Sequence, residues 1–312
     1  MDDYCQKGLV VQKWKKLGCI FKSESQTESI NSHTAMPQVY HLHDDIFRIY
    51  FGSRNKNNEP SINYIEIDIK CPNKILKISE EPVLEKSEWG MFDDNGLYPG
   101  NILKIDEKIY MYYMGRSNGQ EPLYYMAVGL AQSDDNGLNF QKISKTPILD
   151  RNKYDPWMTT TPFVMKEDNI YHMWYTSGFG WNMDKKNPKS YYHIKYAKSF
   201  DGINWEPTGK VCIDLKDGES NIAAPTVLKE DRIYKMWYSY VDTSSYKIGY
   251  AESQNGLDWR RKDEEVGIFL SDNGWDSDCM AYPCVFVHND KRYMLYSGNT
   301  LGKEGIGLAV HE

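Results

Sequence analysis

With 312 residues and a formal net charge of -7, the chain is too acidic to attract a nucleic acid or an anionic membrane surface. A composition of 40% apolar and 14% aromatic residues supplies an ample core, and no run of eighteen apolar residues exists to span a bilayer. The six cysteines form no CxxC pair, and the acidic start Met1-Asp2-Asp3-Tyr4 lacks the basic and apolar run of a signal peptide. The expectation is a cytoplasmic protein with reduced thiols and neither metal nor cofactor. His41-x-His43 would share one strand face, but it has no third ligand near it in sequence and reads as structural.

Residues 14–20 read as a lone strand ahead of the first complete repeat. A phrase then recurs five times: a proline, an apolar strand, a polar turn, and a second strand of the Tyr-x-Met-x-Tyr kind. The prolines are Pro37, Pro99, Pro162, Pro225 and Pro283, a period near sixty residues, and each is expected to open its repeat. The first strands are predicted at 39–42, 102–105, 163–165, 226–228 and 284–287, and the second at 47–50, 110–113, 171–175, 234–238 and 293–296. Period-two alternation rich in β-branched and aromatic residues makes these strands rather than helices.

Third strands at 129–133, 195–199 and 249–253 run into Asn136-Gly137, Asp201-Gly202 and Asn255-Gly256, followed by Phe140, Trp205 and Trp259. Such dipeptides supply the positive φ of a tight hairpin, so a fourth strand must follow. The repeated Ser-x-Asp/Asn-Gly turns therefore read as hairpin geometry and packing, not as ligand sites. Residues 178–192, with Phe179 and Trp181, form the one lengthy insertion, read either as a functional loop or as a surface excursion. The last repeat stops after its third strand at 307–310, and residues 14–20 resemble 205–211, so the front of the chain is expected to supply the missing strand. The fold predicted is all-β: one five-bladed β-propeller domain over 1–312, with four antiparallel strands per blade and the last blade closed by the N-terminal strand.

In such a ring the segments ahead of the prolines reach the central channel. They carry His33; Asp94 and Tyr98; Asp155 and Trp157; Glu219 and Asn221; and Asp276, Asp278 and Tyr282. Acids crowded at one channel mouth would repel each other and lose solvent, separating a protonated acid from an ionised base as glycosidic cleavage requires. The competing reading is that each acid caps a turn. Arg54 and Arg116 end second strands in adjacent repeats, where they suit an anionic sugar, a phosphate or a sugar nucleotide, or else pair with surface acids. Tyr98, Tyr282, Trp157 and Trp181 either stack on sugar rings or fill the core. The sequence contains no Gly-x-Gly-x-x-Gly, Walker loop, Gly-x-Ser-x-Gly or His-Glu-x-x-His.

Five repeats, their prolines, the Tyr-x-Met-Trp-Tyr strands and the Ser-x-Asp/Asn-Gly-x-x-Trp turns resemble the five-bladed glycosidase superfamily. That superfamily comprises glycoside hydrolase families 43, 32 and 68, with the family 130 phosphorylases related, and the resemblance covers nearly the whole chain. Phe92-Asp93-Asp94-Asn95-Gly96, Ile194-Lys195-Tyr196-Ala197 and Trp275-Asp276-Ser277 are similar to a bacterial branch that accompanies sugar and surface-polysaccharide genes. The resemblance implies a carbohydrate-active enzyme, first of all a glycoside hydrolase. Asp94 would be base or stabiliser, Glu219 proton donor and Asp278 a third carboxylate. His33, Arg54, Tyr98, Arg116, Asp155, Trp157, Asn221 and Tyr282 would bind a carbohydrate or sugar-nucleotide substrate. The first repeat offers His33 where the family has an acid, and Glu219 lies in the fourth. A phosphorylase or glycosyltransferase using phosphorylated or nucleotide sugars is therefore an alternative, as is a non-catalytic propeller binding glycan or protein. Substrate, linkage and oligomeric state stay open.

Overall fold

A computed structural model describes residues 12–24, 26–120, 122–182, 188–242 and 245–312. The sequence alternation becomes antiparallel strands in sets of four. The first set is β2 (Ser32–His43), β3 (Ile46–Arg54), β4 (Pro60–Asp68) and β5 (Ile75–Ile78), adjacent in that order. The second is β6 (Leu97–Ile105), β7 (Lys108–Asn118), β8 (Tyr124–Ser133) and β9 (Gln141–Lys142). The third, β10 (Met158–Glu167), β11 (Ile170–Asn182), β12 (Lys189–Ser199) and β13 (Glu206–Ile213), shares a sheet with the fourth, β14 (Asn221–Glu230), β15 (Ile233–Val241), β16 (Tyr246–Ser253) and β17 (Arg260–Arg261). A parallel bridge between Tyr192 and Asn221 joins the two.

β18 (Ala281–His288), β19 (Lys291–Ser297) and β20 (Ile306–His311) take their fourth strand from the front of the chain. There β1 (Trp14–Phe21) runs antiparallel to β20, with Trp14 opposite His311 and Phe21 opposite Ile306. The first strands touch in sequence, β2 with β6, β6 with β10, β10 with β14, β14 with β18, and β18 with β2 again. No helix among the described residues is long and apolar enough to cross a membrane.

The prolines do not open these strands but lie inside them. Pairing slips between Ala35 and Gln38, Pro99 and Asn101, Thr160 and Phe163, Ala223 and Thr226, and Ala281 and Cys284. In four sets the bulge sets the proline and the residue before it against a single partner residue, which accommodates a proline that has no N–H to give. In the second set Pro99 stays paired with Tyr113 while Gly100 is left out. The bulge also places Met36, Thr161, Ala224 and Tyr282 at φ of 57, 37, 52 and 58°. Residues with side chains pay for that conformation, so the surrounding structure must enforce it.

The core fills the seams between neighbouring sets. Phe51 and Ile49 meet Leu295 and Leu308; Tyr50 and Tyr64 meet Met111 and Tyr113. The turns lock the same seams. Ser133, Ser199 and Ser253 accept from the amides of Gly137, Gly202 and Gly256. The carbonyls of those glycines then accept from the set before: Tyr50 Oη to Gly137 at 2.7 Å, Tyr112 Oη to Gly202 at 3.0 Å, and Trp174 Nε1 to Gly256 at 2.8 Å. Trp237 holds the next corresponding position, and its Nε1 is buried without a partner among the described residues. In the fifth set no turn joins the last two strands, because β20 and β1 come from opposite ends of the chain. The described residues of the 178–192 insertion are largely strand: Gly180 pairs with Tyr191, Trp181 with Ser190 and Asn182 with Lys189.

Candidate functional site

The first strands surround a central cavity of about 220 Å³. Arg54 from the end of β3 and Arg116 from β7 supply its charge. Tyr98, Tyr124, Tyr192, Tyr246 and Tyr282 supply phenols, Thr160, Thr161 and Thr176 hydroxyls, and Asn221 an amide. Ala35, Met36, Met114, Met126, Ala223 and Leu301 complete the wall. Among the described residues no carboxylate lines it.

The bulges put Met36, Thr161 and Tyr282 on this wall. The Arg116 guanidinium lies 5.1 Å from the Tyr124 ring centre, and its Nε is buried without a partner among the described residues. The Tyr124 hydroxyl pairs with that of Tyr192 at 2.7 Å and with Ser190 Oγ at 3.2 Å. Oriented so that its amide donates to the carbonyls of Ser190 and Ser220, Asn221 accepts from the Tyr246 hydroxyl at 3.3 Å. Thr161 and Thr176 share a hydrogen bond, and both accept from Ala224 N at 3.2 Å.

Burial pushes Tyr246 up to about 12, against a downward pull from Asn221, and raises Tyr192 and Tyr282 well above the usual phenol value. These three are neutral O–H donors at physiological pH. His33, half-buried at the start of β2, is pushed down to about 4, first by burial and then by the positive charges of Arg54 and Lys303. It is an uncharged imidazole at pH 7, hydrogen-bonded to Ser32 Oγ at 3.1 Å.

The acids expected at the channel take other places. Asp155 is fully buried and receives Tyr175 Oη at 2.8 Å, Ser177 Oγ at 2.7 Å, Asn152 Nδ2 at 2.8 Å and Lys195 Nζ at 3.1 Å. Asp276 does the same with Tyr296 Oη at 3.0 Å and Lys16 Nζ at 2.7 Å, and Asp93 with Tyr113 Oη at 3.0 Å and Lys142 Nζ at 2.6 Å. In each case the tyrosine closes the second strand's motif. The first set has Phe51 at that position and no acid ahead of Pro37. In these four sets the buried carboxylate and the phenol are present together or absent together, and the acid pins a strand; in the fourth set Tyr238 Oη donates instead to Asp263, and Glu219 pairs with Arg261.

Both oxygens of Glu219 are taken by the Arg261 guanidinium at 2.7 Å, and Lys216 N donates to it at 2.7 Å. Asp278 is exposed, and its backbone amide donates to Asn299 Oδ1 at 2.8 Å. Asp94 accepts from Gly90 N at 2.8 Å and borders a separate groove at the rim, together with Trp157. Asp94, Glu219 and Asp278 therefore do not face one common cavity. Arg54, Tyr98, Arg116, Asn221 and Tyr282 do, and His33 stands beside Arg54.

Sequence reasoning passed over Tyr124, Tyr192, Tyr246, Thr161 and Thr176. Tyr192 and Tyr246 occupy the same position of β12 and β16, where β8 has Met126, and this recurrence is the signal that would have found them. A larger open concavity, about 590 Å³ beneath residues 82–88 and 139–142, gathers no comparable group, its Lys142 being committed to Asp93. Among the described residues no cluster of His, Cys, Asp or Glu is arranged to hold a metal.

No protein-family model matches the chain. It is 36% identical over 300 residues to "Uncharacterized protein Rv1502" of Mycobacterium tuberculosis, a match covering 96% of this chain and 99% of that one. The chain belongs to the Rv1502 family. A stretch of 179 residues is 26% identical to the 1,2-beta-oligomannan phosphorylase of a Thermoanaerobacter species, covering 54% of this chain and 57% of that protein. Among solved structures, this Rv1502-family chain matches a glycoside hydrolase with a TM-score of 0.75 at 17% identity, over 96% of this chain and 92% of the other. It also matches a thermostable family-43 glycoside hydrolase with a TM-score of 0.65 at 19% identity, over 89% of each chain. The fold of this chain is that of these glycoside hydrolases, as the repeat resemblance implied.

Proposed function

We propose that the five strand sets are blades of a closed five-bladed β-propeller, and that the chain is a carbohydrate-active enzyme whose central cavity grips an anionic group of its sugar substrate, a phosphate before all others. The observation that carries this is the wall of the cavity, where Arg54 and Arg116 meet neutral phenols and hydroxyls and no carboxylate. An anion leaving water needs charge and donors already in place, and two guanidinium forks with buried O–H groups supply both. The ring of contacts among first strands supports the closed propeller.

Phosphate as nucleophile or leaving group at a sugar's anomeric carbon removes the need for a second carboxylate. One acid or base for the remaining oxygen then suffices, and Asp94, in the groove next to the cavity, is the carboxylate nearest that role. Paired-carboxylate hydrolysis asks instead for two unencumbered acids roughly 5–10 Å apart. Glu219 is occupied by Arg261, and Asp278 is exposed away from the cavity wall. The partial similarity to a phosphorylase favours the same side. Free Cys19, Cys71, Cys212, Cys279 and Cys284 fit a reducing compartment such as the cytoplasm.

Thermal unfolding in inorganic phosphate and in a panel of sugar phosphates tests the reading. A ligand at a hundred times its Kd adds about 2.7 kcal/mol, enough to raise Tm by several degrees. Arg54→Ala and Arg116→Ala should each abolish most of that rise and, on a turned-over substrate, all phosphate dependence. Equal stabilisation of the wild type and both variants would overturn the proposal.

A further inference from the structure

The groove at the rim has its own chemistry. Trp89 is 97% exposed and Trp157 is 40% exposed, yet both border one concavity of about 440 Å³. An indole left almost wholly in water stabilises nothing in the fold, and burying its face would recover a large apolar area. Tyr125 adds a third ring, with the Arg151 guanidinium 5.0 Å from its centre. Polar groups line the same groove: Asp94, Asp150, Ser117 and Asn118.

This groove adjoins the central cavity. β7 places Arg116 on the cavity wall and the next residues, Ser117 and Asn118, in the groove. β8 alternates likewise, with Tyr124 in the cavity and Tyr125 in the groove, while Met126 borders both. Met126 is thus common to the two walls. The central space, about 220 Å³, is below the ~300–1,000 Å³ usual for small-molecule sites, whereas the groove falls within it.

We infer that the Trp89–Trp157 groove is a subsite for a neutral sugar ring, the continuation of a glycan whose anionic end occupies the central cavity. A pyranose has an apolar C–H face that lies on an aromatic plane and a rim of hydroxyls that donate to carboxylates and amides. That pairing is what the groove offers. Asp94 and Asp150 would repel a nucleic acid or an acidic peptide, and a purely apolar partner would leave them desolvated and unpaired. The inference rests on the anionic-substrate reading for the far end of the ligand but not for the groove itself.

The test is saturation-transfer NMR and calorimetry with the full chain against neutral β-linked gluco- and manno-disaccharides and trisaccharides, beside the thermal shift with inorganic phosphate. The wild type binds at least one of the oligosaccharides. Trp89→Ala and Trp157→Ala each weaken that binding at least tenfold, Trp157→Tyr retains most of it, and all three keep the phosphate response. Because Trp89 is almost fully exposed, its variant folds as the wild type does. Wild-type protein that binds no oligosaccharide, or tryptophan variants that bind as tightly as wild type, overturns the subsite. Tryptophan-dependent sugar binding without any phosphate response keeps the subsite and removes the anion reading alone.

Discussion

Asp155 shows how a residue's type can suggest one role and its surroundings assign another. Buried completely, it collects hydrogen bonds from Tyr175, Ser177 and Asn152 and the charge of Lys195. A carboxylate so committed organises the strand beneath it. Asp155→Ala should therefore cost about 3–5 kcal/mol, since it strands a buried ammonium, whereas Asp278→Ala at the surface should stay within about 0.5 kcal/mol. Urea denaturation of the two variants decides the matter. Loss of turnover in Asp155→Ala with stability unchanged would return Asp155 to the substrate-binding candidates. Its counterpart Asp276 was legible as a recurring acid, whereas Asp93 stood unmarked beside Asp94; the partners were not legible, because Lys195 lies forty positions from Asp155 and Lys16 at the other end of the chain from Asp276.

At the scale of elements, the hairpin turns proved readable and the inner strands less so. Asn-Gly and Asp-Gly act through their own backbone, so Gly137, Gly202 and Gly256 take the positive φ their turns require wherever the strands go. What each turn carbonyl meets is a neighbour's side chain. Tyr50→Phe and Tyr112→Phe should each lose about 1–3 kcal/mol, because a buried carbonyl is left unsatisfied. The double variant should be additive, the two seams being separate, and a combined loss near zero would mean that the turns do not lock neighbouring sets. The prolines misled for a related reason. A proline seemed to mark a strand's start, but the bulge lets it sit mid-strand, and the one-residue slip sends the residues on either side to faces that alternation alone does not indicate.

For the molecule as a whole, β1 has the most consequence per residue. It pairs along β20, buries Ile20 and Phe21 against Ile49, Phe51 and Leu308, and brings Lys16 to Asp276. Removing residues 1–21 bares the edge of β20 and opens that seam. The truncated chain should lose its cooperative calorimetric transition and elute as aggregate in size exclusion. A monomer unfolding within a few degrees of the full chain would show that β1 is dispensable.

The sequence by itself determined the strand alternation, the five-fold period, the turns and the supply of a closing strand from the front of the chain. Each of these is encoded within a few residues or in the comparison of one repeat with the next. Only the tertiary structure decided which polar groups share a cavity. Whether a carboxylate is free to react depends on the cation it meets from a distant strand, as with Glu219 and Arg261. Whether a tyrosine faces the centre depends on where a bulge shifts the register. Hence Asp155 and Asp276 became pins, Glu219 a partner of Arg261, and Asp94 and Asp278 lie off the central cavity, while Arg54, Arg116, Asn221, Tyr98 and Tyr282 met there with tyrosines that no local pattern had marked.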